Sequence, residues 1–310
     1  MISLENITKT FHGHTALDDA SFTVGSHEFC MLVGPSGAGK STALRLVNRL
    51  IVPDSGVIRI DDDDIATLDP VVLRRRLGYV IQSVGLFPHW SVGDNIATVP
   101  RLLGWPKKRI DERIDELMTL VELDPATFRD RRPHQLSGGQ QQRIGLARAL
   151  AADPNILLMD EPFGALDAVT RDTLQTEMIR IHAATGKTIL MVTHDIDEAV
   201  RLGQRIVVFD QGKVVQNATP EDVLANPAND FVRALVGGEA ASLRLLKVRR
   251  VRDWLSRDGN AEGPPISGDE HLDMALARML GSGRDALPVI DRAGAPQGTI
   301  SLGDLLRREH

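Results

Sequence analysis

The chain has 310 residues, of which 42% are hydrophobic and 25% charged, with a formal net charge of −6. This length and composition suit one large globular domain together with a smaller one. The acidic balance, without a long run of Lys or Arg, argues against proteins that bind nucleic acid or anionic lipid. The single cysteine, Cys30 in the apolar run FCMLV, cannot form an internal disulfide and is predicted to be a buried small side chain.

The sequence shows neither an export signal nor a membrane span. Residues 1–11, MISLENITKTF, alternate like a strand and lack the charged-then-apolar layout of a secretory signal. No stretch approaches the roughly 18–20 consecutive apolar residues that would cross a bilayer. If the protein acts at a membrane, we expect another chain to do the spanning.

The first elements lead into a phosphate-binding loop. Residues 2–7 and 20–24 alternate as strands do, and the apolar run at 29–33 continues directly into GPSGAGKST, which matches G-x-x-x-x-G-K-[ST] at every fixed position. We expect Lys40 to reach the β and γ phosphates of a nucleotide and Ser41 to offer its hydroxyl to Mg²⁺. The predicted nucleotide-binding residues of the loop are Gly34, Pro35, Ser36, Gly37, Ala38, Gly39, Lys40, Ser41 and Thr42.

The middle of the chain changes from helical to mixed character. After Gln82, apolar residues recur at helical spacing, which predicts a mostly helical insert at about residues 84–150. Apolar runs then return at 156–160, 188–194 and 205–210, each separated by a helical segment. Such alternation indicates a parallel sheet covered on both faces.

Polar side chains follow two of these apolar runs. Asp160 and Glu161 come at the end of ILLMDE, and His194 follows TILMVT in the same manner. Because parallel sheets place ligands at the carboxyl ends of their strands, we expect all three near the phosphates. Asp160 suits Mg²⁺, through water, whereas Glu161 is predicted to point differently and to deprotonate the attacking water. His194 is predicted to contact the γ phosphate.

A second anion-binding pattern occurs at residues 136–143, LSGGQQQR, where a serine and two glycines open a helix. Together with the phosphate loop, Gln82, LLMDE, ALD at 165–167 and His194, this motif resembles the ATP-binding subunit of an ABC transporter over roughly residues 1–235. The resemblance implies ATP and Mg²⁺ as cofactors and an ATPase activity. It also implies a head-to-tail homodimer in which the phosphate loop of one copy faces LSGGQ of the other.

Further site residues follow from this resemblance. Phe11 occupies the place of an aromatic that stacks on adenine, with a core aromatic as the alternative interpretation. Gln82 occupies the place of a residue that senses Mg²⁺ and the γ phosphate, and Asp167 lies in the loop that crosses to the partner. The implied contacts to the partner's nucleotide come from Ser137, Gly138, Gly139 and Gln140. The implied metal ligands are Ser41, Gln82 and Asp160, and the implied catalytic residues are Lys40, Glu161 and His194.

The segment GLFPH at residues 85–89 narrows the resemblance to importers of osmoprotectants such as glycine betaine, choline and carnitine. The implied partners are integral-membrane permease subunits, docked after Gln82, and a separate substrate-binding protein, with no nucleic acid. The implied location is the cytoplasmic face of the cell membrane. Importers of amino acids or other small solutes remain an alternative. A soluble ABC protein acting on nucleic acid is a further one, although neither long coiled coils nor a second nucleotide clamp occurs here.

The C-terminal segment resembles a single CBS motif. It comprises VRDWL at 251–255, an amphipathic run at 272–280, the strand ALPVID and the stretch GTISLGDLL. One motif is expected to pair with its copy on the second subunit. Ser301 and Asp304 match a pattern that meets ribose and phosphate in ligand-binding CBS domains, but Asp304 suits a helix N-terminus equally well. A dimerisation module without ligand remains the alternative.

The expected fold class is α/β: a P-loop NTPase parallel-sheet core with an N-terminal antiparallel β portion and a helical subdomain, plus a small α+β CBS motif. The expected domains are an ABC ATP-binding domain at residues 1–235, a connector at 236–247 and the CBS motif at 248–310.

Overall fold

The computed structural model describes residues 1–82, 85–257 and 261–305, and the chain separates into two compact units at residues 1–217 and 218–310. This separation falls earlier than the predicted domain boundary at residue 235, because short helices that follow residue 218 contact one another. Val84, where the predicted helical insert begins, and residues 306–310 of the predicted CBS motif lie outside the described residues.

The first unit contains two sheets. Its strands are β1 (Ile2–Phe11), β2 (His14–Val24), β3 (Phe29–Val33), β4 (Ser55–Ile60), β5 (Asp63–Asp64), β6 (Leu77–Val80), β7 (Ile156–Asp160), β8 (Thr188–Val192), β9 (Arg205–Asp210) and β10 (Lys213–Ala218). A four-stranded sheet has the order β2-β1-β4-β5, and the β1 pairings with β2 and β4 are antiparallel. A six-stranded sheet has the order β10-β9-β3-β8-β7-β6, with parallel pairing from β9 through β6. The predicted parallel core and antiparallel N-terminal portion are confirmed.

The hairpin β1–β2 is longer than the sequence pattern predicts. The expected strands at 2–7 and 20–24 extend to a tip where Phe11 pairs with His14. Register shifts between Leu4 and Thr10 interrupt the pairing, and Asn6 adopts a positive φ of 51°. Such bulges break the two-residue period by which a strand is recognised in a sequence.

The helices of the first unit surround the parallel sheet. They are α1 (Lys40–Val47), α2 (Pro70–Arg76), α3 (Val92–Ile96), α4 (Thr98–Leu102), α5 (Lys107–Leu120), α6 (Pro125–Phe128), α7 (Gly138–Leu150), α8 (Ala168–Thr185) and α9 (Ile196–Leu202). The helical insert is confirmed as α3 to α7. Because β6 and β7 are neighbours in the sheet, this insert lies between two adjacent strands.

A continuous apolar core joins the two sheets through α1. Leu44, Leu46 and Val47 on this helix are buried in one cluster with residues of β1, β3 and β8. Cys30 of β3 belongs to the same cluster, and burial raises the pKa of its thiol well above the ordinary range. Its predicted role as a buried small hydrophobe is therefore confirmed. The phosphate loop that precedes α1 is thus anchored at both ends by core elements.

The second unit is a small α+β arrangement. Its elements are α10 (Pro220–Ala225), α11 (Asp230–Leu235), α12 (Ala241–Leu246), β11 (Ile266–Ser267), α13 (Leu272–Ser282), β12 (Ala286–Ile290), β13 (Pro296–Ser301) and α14 (Leu302–Leu305). The sheet order is β11-β12-β13, with β11 parallel and β13 antiparallel to β12. Buried Leu272, Ala275 and Met279 of α13 pack in one core with both strands β12 and β13.

Across the parts of the chain that the structure describes, no helix combines the length and the apolar character needed to cross a membrane.

Candidate functional site

The phosphate loop fits between neighbouring strands because glycine stands where a side chain would collide. Gly34 has a φ of 144°, and a Cβ placed there would lie 2.2 Å from the carbonyl oxygen of Phe209. Gly39 has a φ of 101°, and its Cβ would lie 2.4 Å from the carbonyl oxygen of Ala16. These positive φ values and close approaches both require glycine. The loop is therefore fixed by β9 on one side and β2 on the other.

Lys40 is directed back into this loop. Its Nζ donates hydrogen bonds to the carbonyl oxygens of Gly34 at 2.7 Å and Pro35 at 2.8 Å. Burial lowers the pKa of Lys40, while the carboxylates of Glu161 and Asp160 oppose that shift. The ammonium group is thus held over the loop, near the carboxyl end of β7, where phosphate oxygens would displace the carbonyls as its partners.

Ser41 and Asp160 place two oxygens that could bind a metal ion side by side. The Ser41 hydroxyl donates to Asp160 Oδ1 at 2.7 Å, which joins the first turn of α1 to the end of β7. Asp160 is buried, and Arg45 Nη2 lies 3.8 Å from its other oxygen. A hydroxyl beside a carboxylate is the hard-oxygen environment that Mg²⁺ prefers. These two predicted metal ligands are therefore brought together.

Three predicted site residues meet at one carboxylate oxygen. Glu161 Oε2 lies 3.2 Å from Gln82 Nε2 and 3.3 Å from His194 Nδ1. Gln82 follows β6, Glu161 follows β7 and His194 follows β8, so the meeting point is the shared carboxyl edge of three adjacent strands. The site thus presents a carboxylate flanked by an amide and an imidazole.

The direction of Glu161 has a different cause from the one expected. Alternation along a strand was expected to point the Glu161 side chain away from that of Asp160. Instead, β7 ends at Asp160, and Glu161 adopts a positive φ of 44°. The Glu161 N–H donates to the carbonyl oxygen of Val192 at 3.0 Å, which holds the turn against β8. For a residue other than glycine this conformation carries a cost of about 1 kcal/mol, and such positions cluster at functional sites.

The tip of the β1–β2 hairpin borders an open cavity of about 450 Å³ next to the phosphate loop. The cavity is lined by His14, Thr15, Pro35, Ser36, Gly37, Ala38, Asp210 and Gln211. Phe11 is the cross-strand partner of His14 and is 37% exposed, so it is not a core aromatic. Its exposed ring follows from its place at the hairpin tip, and stacking on adenine stays a prediction.

The LSGGQ motif forms the start of α7. Ser137 Oγ accepts from the Gln140 N–H at 3.3 Å, and Gln140 Oε1 accepts from the Ser137 N–H at 3.0 Å, a capping box. Within 4 Å of a Cβ added at Gly138 or Gly139, the described atoms belong to Leu166 and Thr170, not to the phosphate loop. The start of α7 therefore packs beside the segment that leads into α8.

Asp167 begins the neighbouring helix. Its carboxylate accepts from the Thr170 N–H at 3.0 Å as the N-cap of α8, and hydrogen bonds from Thr170 lower the pKa of Asp167. Thr170 also lies against Gly139, so the two helix starts are adjacent.

Ser301 and Asp304 form a reciprocal cap at the start of α14. The Asp304 carboxylate accepts from Ser301 Oγ at 2.6 Å and from its N–H at 2.9 Å. The Ser301 hydroxyl accepts in turn from the Asp304 N–H at 3.2 Å. This geometry agrees with the helix-capping interpretation, and ligand binding here stays a prediction.

Asn95 is a functional candidate that the sequence argument missed. It is fully buried on α3, and its side-chain amide binds the N–H of Phe87 at 2.8 Å and the carbonyl oxygens of Phe87 and Ser91 at 3.2 and 2.9 Å. Asn95 thereby shapes the segment that carries the exposed rings of Phe87 and Trp90. The available signal was a lone amide on the buried face of a short helix.

Comparisons with known proteins place the chain in a family. Residues 17–164 match the family model described as ABC transporter. The chain is 51% identical to the glycine betaine uptake system ATP-binding protein YehX of Escherichia coli over 306 residues, which cover 99% of each chain. It is 45% identical to the glycine betaine/carnitine/choline transport ATP-binding protein OpuCA of Bacillus subtilis, over 97% of this chain and 78% of that protein.

A solved structure agrees with these relatives. The dimeric structure of the ATP-binding cassette MJ0796 bound to ADP and Pi covers 71% of this chain and 99% of that one, with 34% identity and a TM-score of 0.64. The predicted P-loop NTPase fold and ATPase class are confirmed. The chain therefore belongs to the ABC transporter family, as an ATP-binding subunit of the osmoprotectant-importer type.

Proposed function

We propose that two copies of this chain hydrolyse Mg-ATP at their shared interface and drive uptake of an osmoprotectant such as glycine betaine, choline or carnitine. The observation that carries the proposal is the convergence of Gln82 and His194 on Glu161, beside the pair Ser41–Asp160. The solute class is supported by the names of the relatives.

The metal site is proposed at the carboxyl edge of β7. Ser41 and Asp160 would hold Mg²⁺, with Asp160 acting through water and Gln82 approaching from the end of β6. The bound ion would neutralise the phosphate oxygens and orient them in line with the attacking water. Lys40 would exchange its two loop carbonyls for oxygens of the β and γ phosphates.

Hydrolysis is proposed to use Glu161 as the general base. A water oxygen forms a bond to the γ phosphorus while the bond from that phosphorus to the β–γ bridging oxygen breaks. The water proton moves to Glu161, and phosphate and ADP leave. His194 donates to a γ oxygen, and its contact with Glu161 holds both groups at the same point.

The second copy is proposed to complete the nucleotide site. The start of α7 has backbone N–H groups and the Ser137 hydroxyl, which would close over the γ phosphate of the partner's ATP with Gly138, Gly139 and Gln140. Phe11 would stack on adenine, and Asp167 would cross to the partner. ATP then favours the closed pair because it contacts both copies only in that state, and hydrolysis removes this difference.

The permease is proposed to dock on the segment after Gln82. Phe87 and Trp90 are 44% and 41% exposed although their rings lie only 4.6 Å apart, and Leu102 and Leu103 on the same helical insert are also exposed. Such an apolar patch with two aromatic rings suits a protein interface. Docking there would hold the chain at the cytoplasmic face of the membrane.

The solute itself is proposed to bind elsewhere. Quaternary ammonium groups are recognised by aromatic cages, and only 4% of these residues are aromatic. A separate substrate-binding protein would supply the cage and deliver the solute to the permease.

The domain assignment is proposed as an ABC ATP-binding domain at 1–235, a connector at 236–247 and a single CBS motif at 248–310. The succession β11, α13, β12, β13 and α14 supports the last assignment. The motif would pair with its copy on the second subunit, and Ser301 with Asp304 would meet any nucleotide ligand.

The test uses Glu161→Gln in the transporter reconstituted with its permease and binding protein. ATP binding should persist and an ATP-dependent dimer should accumulate, whereas hydrolysis and uptake should fall by at least 100-fold. Glu116→Gln, an exposed glutamate paired with Arg113, is the matched control and should behave as the wild type. Wild-type hydrolysis in Glu161→Gln would refute the role of Glu161.

The solute class is tested in the same vesicles with a panel of betaines, choline, carnitine and amino acids. Stimulation of hydrolysis by the quaternary ammonium compounds alone supports the proposal. Stimulation by amino acids alone would favour the alternative importer class.

A further inference from the structure

The helix α7 connects two regions that the proposed function uses. Its first turn contains the capping box of Ser137, and its last turn contains Arg148, whose Nη1 donates to the carbonyl oxygen of Gly85 at 2.6 Å. Eleven positions separate Ser137 from Arg148, a distance of about 16 Å along a helix axis. Gly85 lies three residues after Gln82 and two before Phe87. We define the docking segment as residues 87–90. One helix therefore extends from the predicted contact with the partner's ATP to the residues just before the docking segment.

The last turn of α7 contacts the chain before Gln82 as well. A Cβ added at Gly78 of β6 would lie 2.6 Å from the carbonyl oxygen of Ala149, so the two backbones touch. Gly78 before Gln82 and Gly85 after it thus both contact the last turn of α7. A displacement of Gly85 would therefore act on this turn.

The helix packs on α3, α5 and α8 and on strand β6. Midway along it, Arg143 donates to the carbonyl oxygen of Val121 at 2.9 Å and forms an ion pair with the buried carboxylate of Glu177 on α8. Intrahelical hydrogen bonds make an α-helix stiff along its axis, so a shift at one end is delivered to the other.

We propose that Arg148 is the positioning residue that couples the docking segment to the LSGGQ end of α7. The inference rests on the proposed function, because it assumes that residues 87–90 meet the permease and that Ser137 meets the partner's ATP. In this arrangement, movement of the permease displaces Gly85. The guanidinium of Arg148 transmits this displacement to the last turn of α7. The first turn of the same helix then moves toward or away from the partner's nucleotide. Arg148 touches no reacting atom and acts only through α7.

The chain offers a matched control at the same end of the helix. Arg113 on α5 donates to the carbonyl oxygen of Leu150 at 2.9 Å, so it also binds the last turn of α7 through a guanidinium–carbonyl bond. The described partners of Arg113 are Leu150, Ala151, Glu116 and Asp153, and Gly85 is not among them. Substituting Arg113 weakens the anchoring of α7 without releasing Gly85.

The experiment compares Arg148→Gln, Arg148→Lys and Arg113→Gln in the complete transporter in vesicles. The readouts are the number of ATP molecules hydrolysed per solute imported, the solute stimulation of hydrolysis and, in the isolated chain, ATP affinity. Arg148→Gln should raise the ATP-to-solute ratio at least fivefold and abolish solute stimulation, with ATP affinity within twofold of the wild type. Arg113→Gln should leave the ratio and the stimulation unchanged.

A second variant approaches the same contact from the other side. Gly85 has a φ of 56°, a conformation that L residues rarely adopt, so an alanine there should move the backbone that carries the carbonyl bound by Arg148. Gly85→Ala should therefore raise the ATP-to-solute ratio as Arg148→Gln does, which keeps the test valid if one variant folds poorly.

The inference is overturned if hydrolysis and uptake fall in equal proportion in the Arg148 variants, or if Arg113→Gln raises the ratio as much. Failure of the proposed function itself gives a different result, since the wild-type transporter would then show no solute-stimulated hydrolysis.

Discussion

Gly138→Ala separates the requirements of a single chain from those of the proposed dimer. In one copy of the chain, a Cβ at Gly138 meets only Leu166 Cδ2, at 4.0 Å, so the methyl group has room. Gly138 is the first residue of α7, where alanine is preferred over glycine by up to about 1 kcal/mol. The free energy of unfolding of the isolated chain should therefore stay constant or rise by up to that amount.

The same methyl group should impair ATP hydrolysis. If the α7 start closes on the partner's phosphates, the added carbon occupies space that backbone N–H groups need for their approach. Overpacking a well-fitted contact costs about 1–3 kcal/mol, which corresponds to a loss of about 5- to 150-fold. We expect ATP-dependent dimerisation and the hydrolysis rate to fall by this factor while ATP affinity of the isolated chain is retained.

The assay combines urea unfolding of the ATP-free chain, gel filtration with ATP and steady-state hydrolysis. Gly281→Ala on α13 is the control, because an added Cβ there meets nothing within 4 Å and so has room as well. That variant should gain similar helix stability and keep full activity. Full activity in Gly138→Ala, or a drop in its unfolding midpoint that parallels the loss of activity, would refute the reasoning.

Four further substitutions test the fold around the site and the docking segment. Gly34→Ala should lower the free energy of unfolding by about 2–6 kcal/mol, since its Cβ would lie 2.2 Å from a backbone oxygen. Gly37→Ala is the control: its Cβ would have open space, so the free energy of unfolding should fall by only about 1–2 kcal/mol in the same urea titration. Asn95→Ala leaves the part-buried Phe87 N–H without its partner, so stability should fall by about 1–3 kcal/mol and co-purification with the permease should decrease. An unchanged yield of complex would contradict the docking role. Burial raises the pKa of Glu198 above its value in the unfolded chain. The protonated side chain therefore stabilises the fold at acid pH, and this contribution is lost as the pH rises through the folded pKa. Glu198→Gln can still accept from the Thr193 hydroxyl, and its stability relative to the wild type should therefore increase between pH 5 and pH 8, whereas a constant difference would contradict this assignment.

The motifs in the sequence predicted the elements that carry the site residues. The spacing of GPSGAGKST required a strand, a loop and a helix, and the structure has β3 ending at Val33 and α1 beginning at Lys40. The apolar runs at 156–160 and 205–210 coincide with β7 and β9. These features are local, because a run of apolar residues and a glycine pattern constrain the backbone within a few positions.

Other features could not be deduced in this way. The hairpin tip at Phe11 was missed because bulges interrupt the strand period, and the left-handed turn at Glu161 depends on the Val192 carbonyl of a neighbouring strand. The hydrogen bond between Asn95 and Phe87 joins residues eight positions apart, and the one between Arg148 and Gly85 joins residues 63 positions apart. Neither contact has a sequence period by which it could be recognised.

By itself, the sequence determined a glycine loop between a strand and a helix, and it predicted which carboxylates and histidine would serve a nucleotide there, because those residue types and spacings suit phosphate and metal chemistry. Only the tertiary structure decided that Gln82, Glu161 and His194 meet at one oxygen, and that the start of the LSGGQ helix packs beside the start of α8. The physical reason is that strand order and helix packing arise from long-range burial of apolar surface, which sets the distances between motifs that are remote in sequence.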